Sequence, residues 1–215
     1  MARGILIIGK SGSGKSSSLR SFKNNEYALI NPLGKDLPFK TDKGYIETFK
    51  YSEIKTAMKV YEARGAKTIV LDDIGYLLTN ELMNAAHVKD IFKHYRDIAT
   101  DFYELHRFVT KELDPSINVY FMMHENVNDV GEIKPKTVGK MLDDQVTIEG
   151  LFTIVLRALK TSEGHKFQTQ TEGNSVVKSP LGMFEDNYID NDLLIVNDII
   201  NEYYGNKKVE AVVNE

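Results

Sequence analysis

A glycine-rich stretch near the start of the sequence constrains this chain more than any other feature. Residues 4–8 are apolar and largely β-branched, which predicts a strand, and they lead directly into Gly9-Lys10-Ser11-Gly12-Ser13-Gly14-Lys15-Ser16. This run has the pattern G-x-x-x-x-G-K-[ST], and residues 16–23 are suited to begin a helix. A strand, a glycine-rich turn and a helix in this order predict a loop whose backbone N–H groups surround an anion.

The pattern is that of a Walker A motif, or P-loop, and it predicts a role for each part of the loop. We expect Lys15 to reach the β- and γ-phosphates of a nucleoside triphosphate and the Ser16 hydroxyl to hold Mg²⁺. A helix that begins near Lys15 would add the positive end of its dipole. The predicted nucleotide-binding residues are Gly9, Lys10, Ser11, Gly12, Ser13, Gly14, Lys15, Ser16 and Ser17. The alternative is a Gly/Ser-rich surface turn that carries one lysine.

Two acidic residues follow a second apolar run. Thr68-Ile69-Val70-Leu71 suits a strand buried on both faces, and Asp72 and Asp73 come directly after it. In a parallel α/β sheet this carboxyl edge is where ligands bind, so the aspartates are expected beside the glycine-rich loop, as in a Walker B motif. We expect Asp72 to bind Mg²⁺, directly or through water, because a hard cation prefers oxygen ligands. Asp73 is the candidate to orient or deprotonate the attacking water. Alternatively, either aspartate only caps the following turn.

A third buried strand is predicted at residues 117–123, and His124 follows it. The same edge argument brings His124 close to the γ-phosphate, where a polar side chain can sense the phosphate state of the nucleotide. The alternative is a histidine that merely caps the strand. Residues 128–140, with three lysines, predict a mobile loop that contacts DNA or another subunit, or else a plain solvated loop.

The rest of the chain predicts one α/β domain, residues 1–205, with residues 206–215 as a frayed tail. Its central sheet is expected to be mostly parallel, flanked by helices, and to carry an antiparallel hairpin late in the chain. Periodicity and turn signals predict further strands at residues 27–31, 45–49, 151–156, 165–170 and 176–180, and helices that begin near Ser52, Asn84 and Asp192. The helix from about Asn84 to Glu112 is expected to be kinked or split near Thr100. Residues 74–78 are expected to form an apolar loop.

Composition narrows the class of protein only slightly. The chain has 215 residues and no cysteine, so it has neither a disulfide framework nor a thiolate metal site. Apolar runs are too short to span a membrane, so we expect no membrane partner. The formal net charge of −4 disfavours a strongly basic surface that binds nucleic acid over most of the protein, although it is compatible with one basic face. Residues 1–8 are too short for a signal peptide, and we therefore expect a cytoplasmic protein.

With these motifs in place, the chain resembles RecA-like ATPases. More narrowly, it is similar to the phage-encoded Sak4 family of ATP-binding single-strand annealing proteins. The resemblance covers nearly the whole chain. It rests on residues 9–18, 68–73 with 80–83, 120–125, 139–152 and 177–184. The first of these stretches is specific only for nucleotide binding, whereas the last two narrow the family.

The resemblance implies a RecA-like core that binds ATP, Mg²⁺ and single-stranded DNA and hydrolyses ATP, slowly or under DNA stimulation. It implies a role in phage recombination or replication in the host cytoplasm, and a single-strand-binding protein as a natural partner. It also implies assembly into a ring or filament with ATP held between copies. A basic residue of the neighbouring copy is then expected at the γ-phosphate, and Lys178 matches its place best, with Lys140 second. The alternative for Lys178 is an exposed strand lysine.

The chain departs from RecA itself after the second strand. RecA carries its catalytic glutamate there, whereas this chain has Asn31-Pro32 without a carboxylate at the turn. Asp36 comes later and Glu47 lies in the next short strand. Asp73 is therefore the nearest substitute for the residue that activates water.

Two other functions use the same loop. A nucleotide-dependent adaptor, such as a helicase loader, would bind ATP without needing to hydrolyse it. A small-molecule or nucleoside kinase would need an arginine-rich lid, and residues 125–150 contain no arginine. A GTPase is disfavoured because the sequence has no N-K-x-D motif.

Overall fold

Short apolar runs form the strands of this chain in a computed structural model that describes residues 1–85 and 89–205. The strands are β1 (Arg3–Gly9), β2 (Ala28–Ile30), β3 (Thr68–Leu71), β4 (Asn118–Val127), β5 (Ile133–Pro135), β6 (Ile154–Thr161), β7 (Gly164–Gln168) and β8 (Tyr188–Asp190). The α-helices are α1 (Tyr51–Ala63), α2 (Tyr76–Met83), α3 (Ile91–Glu112), α4 (Lys140–Asp143) and α5 (Leu193–Gly205). Two 3-10 helices span Ser16–Ser21 and Ile148–Leu151.

The described strands form one eight-stranded sheet in the order β2-β3-β4-β1-β6-β7-β8, with β5 paired to the end of β4. The pairs from β2 to β6 in this order are parallel, whereas β7 and β8 continue the sheet antiparallel. The predicted α/β class, the mostly parallel sheet and the late antiparallel hairpin are thus confirmed. The carboxyl ends of β1, β3, β4 and β6 lie at one edge of the sheet.

Alternating residues of the central strands divide the core into two layers. Leu6 and Ile8 of β1 pack in the layer that α1, α2 and α3 cover. Ile5 and Ile7 pack in the other layer, against α5 and Leu19 of the first 3-10 helix. Strand geometry explains the split, because successive side chains point to opposite faces. The central strands are therefore apolar throughout, and polar side chains collect where they end.

The helices differ from the predicted pattern between residues 74 and 112. The predicted apolar loop at 74–78 is wrong, since α2 begins at Tyr76 and buries Leu77 and Leu78 against the sheet. The predicted split near Thr100 is also wrong, because α3 is continuous and the Thr100 hydroxyl donates to the carbonyl of Arg96 at 2.8 Å. Helix α3 begins after Asp90, whose carboxylate accepts the N–H of Lys93.

Strand β4 extends beyond its predicted end at residue 123. Glu125, Asn126 and Val127 pair antiparallel with β5, so His124 lies inside a strand. Residues 128–140, predicted as a mobile loop, contain all of β5 and the first residue of α4. At residues 45–49 the predicted strand is reduced to a single bridge between Ile46 and Ile30. The predicted frayed tail, residues 206–215, lies outside the described residues.

Within the described ranges, no helix combines the length and the apolar character needed to cross a bilayer.

Helix α5 is docked on the sheet through a buried polar cluster. The side-chain oxygen Oδ1 of Asn197 accepts hydrogen bonds from the Asn118 amide at 3.0 Å, the Tyr120 hydroxyl at 3.0 Å and the Thr68 hydroxyl at 3.4 Å. One buried amide oxygen therefore satisfies donors from both β3 and β4.

We predict that Asn197→Ala lowers the free energy of unfolding by about 2–3 kcal/mol, because it leaves buried donors without their acceptor. Urea denaturation followed by circular dichroism measures the effect. The exposed Asn187 supplies the matched control, since Asn187→Ala should stay within about 0.5 kcal/mol of the wild type. Equal stability of the two variants would contradict the role of Asn197.

Candidate functional site

The glycine-rich loop leaves β1 at the carboxyl edge of the sheet and needs glycine at two positions for different reasons. A Cβ on Gly9 would overlap the Ser13 hydroxyl and lie 2.6 Å from the carbonyl oxygen of Ala158. Gly14 has φ +102°, and a Cβ there would also lie 2.8 Å from Oδ1 of Asn191. The loop is therefore tightly curled and backed closely by the rest of the fold.

Lys15 is folded back into this loop. Its ammonium donates to the carbonyl oxygens of Gly9 at 2.8 Å and Lys10 at 3.1 Å, and the residue is only 6% exposed. Burial lowers the pKa of Lys15, while the carboxylates of Asp73 and Asp72 oppose that shift. The structure thus holds a desolvated cation inside the curl of the loop.

The helix predicted at residues 16–23 is a 3-10 helix that spans Ser16–Ser21. Its first turn is tied to the loop by the N–H of Ser18, which donates to the carbonyl oxygen of Gly14 at 3.0 Å. The predicted helix is therefore short and of the 3-10 type, and it begins directly after Lys15. The loop N–H groups and Lys15 remain as the groups that can hold an anion.

Ser16 and Asp72, predicted as ligands of one metal ion, are in contact. The Ser16 hydroxyl donates to Oδ2 of Asp72 at 2.8 Å. Asp72 is 2% exposed, and its other oxygen, Oδ1, has no hydrogen-bond partner in the described part of the chain. Burial, and secondly the neighbouring Asp73, raise the pKa of Asp72 to about 6. An unpartnered buried carboxylate oxygen beside a hydroxyl suits a bound cation.

The donor set fits Mg²⁺ better than a metal held by protein ligands alone. Across residues 1–85 and 89–205, no group of three or more His, Cys, Asp or Glu side chains is arranged to hold a metal ion. Mg²⁺ commonly binds one or two protein oxygens and completes its shell with water and phosphate oxygens. Ser16 and Asp72 can supply such a pair.

Asp73 has a strained backbone and two partners. Its φ of 55° is the one positive φ of a non-glycine residue among the residues described. The Lys35 ammonium lies 2.8 Å from Oδ2 of Asp73, and Nε2 of His124 lies 3.5 Å from Oδ1. Strain of this kind is concentrated at functional sites, where the surrounding structure maintains it.

His124 lies directly beside the start of the loop, because its register partner on β1 is Gly9. Its ring contacts Tyr76 edge-on, with 5.7 Å between ring centroids. Burial lowers the pKa of His124, the Lys15 ammonium lowers it further, and Asp73 opposes the shift. The imidazole is therefore neutral at pH 7 and can donate or accept a hydrogen bond.

A cleft of about 230 Å³ opens at the sheet edge; Ser16 lies in its wall, whereas its buried partner Asp72 does not line it. Its walls are formed by Ser11, Gly12, Gly14, Lys15, Ser16, Ser17, Lys35, Asp36, Pro38, Asp73 and His124. Most of the predicted site residues are thus brought together. Lys178 does not line the cleft of its own chain, since its backbone pairs with Val155 near the start of β6, away from the carboxyl edge of the sheet. Lys140, the second choice, is exposed at the start of α4.

Sequence reasoning missed several residues of this site. Lys35 follows β2, a position at which the sequence argument considered only a carboxylate that could activate water. Glu125 forms a bidentate ion pair with Arg157 at 2.7 and 2.9 Å, and the Glu125 side chain is 1% exposed. Because β1 lies between β4 and β6, this pair spans the strand that leads into the loop. No local sequence pattern predicts the pairing of Lys35 with Asp73 or of Glu125 with Arg157, since the members of these pairs lie 38 and 32 residues apart.

Asn191 is a further residue that no motif signals. It is 2% exposed, and both its amide nitrogen and its amide oxygen have no hydrogen-bond partner among the described residues. The buried hydroxyl of Ser13, within the loop, has none either. Buried polar groups usually have partners, so these atoms identify the loop as a place where a bound group can complete the hydrogen bonding.

No protein-family model matches this chain, and a search of curated proteins finds no match either. Its function is therefore argued from the geometry and chemistry of the site.

We predict that Asp72→Asn stabilises the ligand-free protein at pH 7.5, by up to about 3 kcal/mol. The folded-state pKa of about 6 exceeds the ordinary aspartate pKa of 3.8, so the wild type loses stability as the pH rises through this interval. The variant carries no such charge, and its advantage should disappear near pH 4. Urea titrations at both pH values, without Mg²⁺ or nucleotide, measure this difference.

The matched control for this experiment is Asp186→Asn, at an exposed position. It should change the free energy of unfolding by no more than about 0.5 kcal/mol at either pH. A loss of stability in Asp72→Asn that is the same at pH 4 and pH 7.5 would show that Asp72 supports the fold rather than being a desolvated charge.

Proposed function

We propose that this chain is a RecA-like P-loop ATPase that binds ATP and Mg²⁺ in the cleft at the carboxyl edge of the sheet. The contact between Ser16 and Asp72 carries this proposal. The two residues lie 56 positions apart and meet at 2.8 Å, and one oxygen of the buried carboxylate has no partner in the described chain. A Walker A serine and a Walker B aspartate must approach in this way to share one Mg²⁺.

The remaining cleft residues suit phosphoryl transfer to water. When bound, Mg·ATP supplies the reacting phosphoryl group and a Lewis acid. The loop N–H groups and Lys15 bind the phosphates and stabilise the charge that develops on them. Asp73 orients the attacking water or accepts its proton. Neutral His124 contacts Asp73 and senses the phosphate state of the nucleotide through a hydrogen bond. Asp36, in the same cleft, is the second candidate to orient water.

Lys15→Ala is predicted to weaken binding of a non-hydrolysable ATP analogue with Mg²⁺ by about 10- to 100-fold, because it removes charge-assisted hydrogen bonds to phosphate. Isothermal titration calorimetry measures the dissociation constant. Lys40→Ala is the matched control, since Lys40 is exposed and does not line the cleft. If Lys15→Ala keeps the full affinity for the analogue, the loop does not bind phosphate as a P-loop.

We further propose that the chain acts on single-stranded DNA as a ring or filament, with ATP between neighbouring copies, in annealing, recombination or replication. The sequence stretches shared with Sak4-like proteins support this proposal. The exposed lysines Lys136 and Lys140 follow the β4–β5 hairpin and are available to a DNA backbone, whereas Lys134 is paired with Asp143 at 2.5 Å. Lys178 lies outside its own cleft, which is compatible with a role in a neighbouring copy.

Assembly is tested by light scattering coupled to gel filtration, with and without Mg·ATP analogue and an oligonucleotide. We expect a mass of several chains when both ligands are present. In the assembled state, Lys178→Ala should lower the rate of ATP hydrolysis by about 100-fold or more, because it removes a cation from the developing charge. Lys160→Ala, at an exposed position of β6, is the control.

Two results would count against this part of the proposal. A strictly monomeric protein under saturating ATP and DNA would remove assembly and leave nucleotide binding intact. A Lys178→Ala variant that assembles and hydrolyses ATP like the wild type would remove the role of Lys178 in a neighbouring site.

One observation favours a nucleotide-dependent adaptor as a second candidate. Asp73 is ion-paired with Lys35, so one of its carboxylate oxygens is already occupied and cannot hold the attacking water. Such a protein would bind ATP and hydrolyse it slowly. Hydrolysis that oligonucleotides do not change, together with no single-strand binding at low salt, would favour the adaptor over the annealing protein.

A further inference from the structure

Lys35 is a cation of the cleft to which the sequence assigns no role. Its ammonium lies 2.8 Å from Oδ2 of Asp73 and 5.3 Å from the centroid of the Tyr76 ring. The Lys35 side chain is 56% exposed, whereas that of Asp73 is 11% exposed. Lys35 and the phosphate-binding residues Lys15 and Ser16 line the same cleft. A half-exposed cation and a mostly buried carboxylate therefore face the place where phosphates would bind.

The backbone that carries Lys35 is anchored, so the side chain is the part that can move. The amide Nδ2 of buried Asn31 donates to the carbonyl oxygen of Lys35 at 3.1 Å. The Tyr45 hydroxyl donates to the carbonyl oxygen of Gly34 at 2.6 Å. Movement of the Lys35 ammonium away from Asp73 then requires only rotations about side-chain bonds, which exposed residues make quickly.

The ion pair with Lys35 conflicts with the proposed role of Asp73. Oδ2 of Asp73 already accepts a hydrogen bond from the Lys35 ammonium at 2.8 Å, so this oxygen is not open to an attacking water molecule. The same pair contributes little to stability, because more than half of the lysine side chain is in solvent. A terminal phosphate offers Lys35 more negative charge and more acceptor oxygens than Asp73 does.

We propose that Lys35 is a γ-phosphate sensor that exchanges its partner, Asp73, for the terminal phosphate of the bound triphosphate. This inference rests on the proposed function of the cleft. The exchange frees Asp73 to bind water and at the same time adds a positive charge beside the phosphoryl group. After loss of that group, Lys35 returns to Asp73, and the site is again blocked. No covalent bond of the protein changes in this cycle.

The exchange predicts a selective effect on affinity. Lys35→Ala should weaken binding of a non-hydrolysable ATP analogue by about tenfold, while ADP affinity stays within about twofold of the wild type. Lys35→Arg keeps the charge and should retain most of the preference for the triphosphate. Calorimetry of the full chain with Mg²⁺ measures both constants. Lys40→Ala, an exposed lysine of the same segment that does not line the cleft, is the matched control.

Asp73→Asn provides the complementary measurement. It removes the competing partner, so analogue affinity should rise, and the rise should be absent when Lys35 is already alanine. This double-mutant cycle separates an exchange of partners from a general loss of negative charge, which would raise affinity in both backgrounds. Equal gains with and without Lys35 would overturn the proposal.

Failure of the inference differs from failure of the proposed function. If the wild type binds neither the analogue nor ADP, the proposed function fails and the sensor fails with it. If the wild type binds both ligands and Lys15→Ala binds the analogue more weakly, as expected, but Lys35→Ala loses affinity for both ligands equally, Lys35 supports the loop and is not a sensor. A crystal structure of the analogue complex in which Lys35 still bonds Asp73 would also overturn the proposal.

Discussion

The hydrogen bond from Ser16 to Asp72 joins the ends of two strands that are not neighbours. Strand β4 lies between β1 and β3, so the loop after β1 must reach across the edge of β4 to contact Asp72. This requirement explains why His124, which is opposite Gly9 in the register, lies between the loop and Asp73. The parallel register therefore determines which side chains share the cleft.

Charge is concentrated at this edge at a cost in stability. Asp72 and Lys15 are both desolvated, and burial shifts their pKa values in opposite directions, each toward the neutral form. The neighbouring pair of Glu125 and Arg157 is bidentate and mostly buried, so each charge there has its partner. The cleft residues lack such complete pairing, as expected where a bound ligand supplies the missing charges.

The proposed nucleotide site and the proposed sensor share one logic. In the structure, each group with a proposed role in the site is already bonded to another group of the protein: Lys15 to loop carbonyls, Asp73 to Lys35, and Ser16 to Asp72. Nucleotide and Mg²⁺ would replace these internal partners one for one. Such replacement would break the ion pair between Lys35 and Asp73 when the terminal phosphate binds. Asp73 would then be free to bind the attacking water only while that phosphate is present.

The sequence by itself determined the features that depend on short-range spacing. Those are the strand and glycine-rich loop at residues 4–16, the buried β3 with Asp72 after it, and the α/β class with a late hairpin. Only the tertiary structure decided the contacts of Lys35 with Asp73 and of Glu125 with Arg157, the extension of β4 and the start of α2. Strand order, register and burial set these features, and residues far apart in the chain carry no local pattern that encodes them.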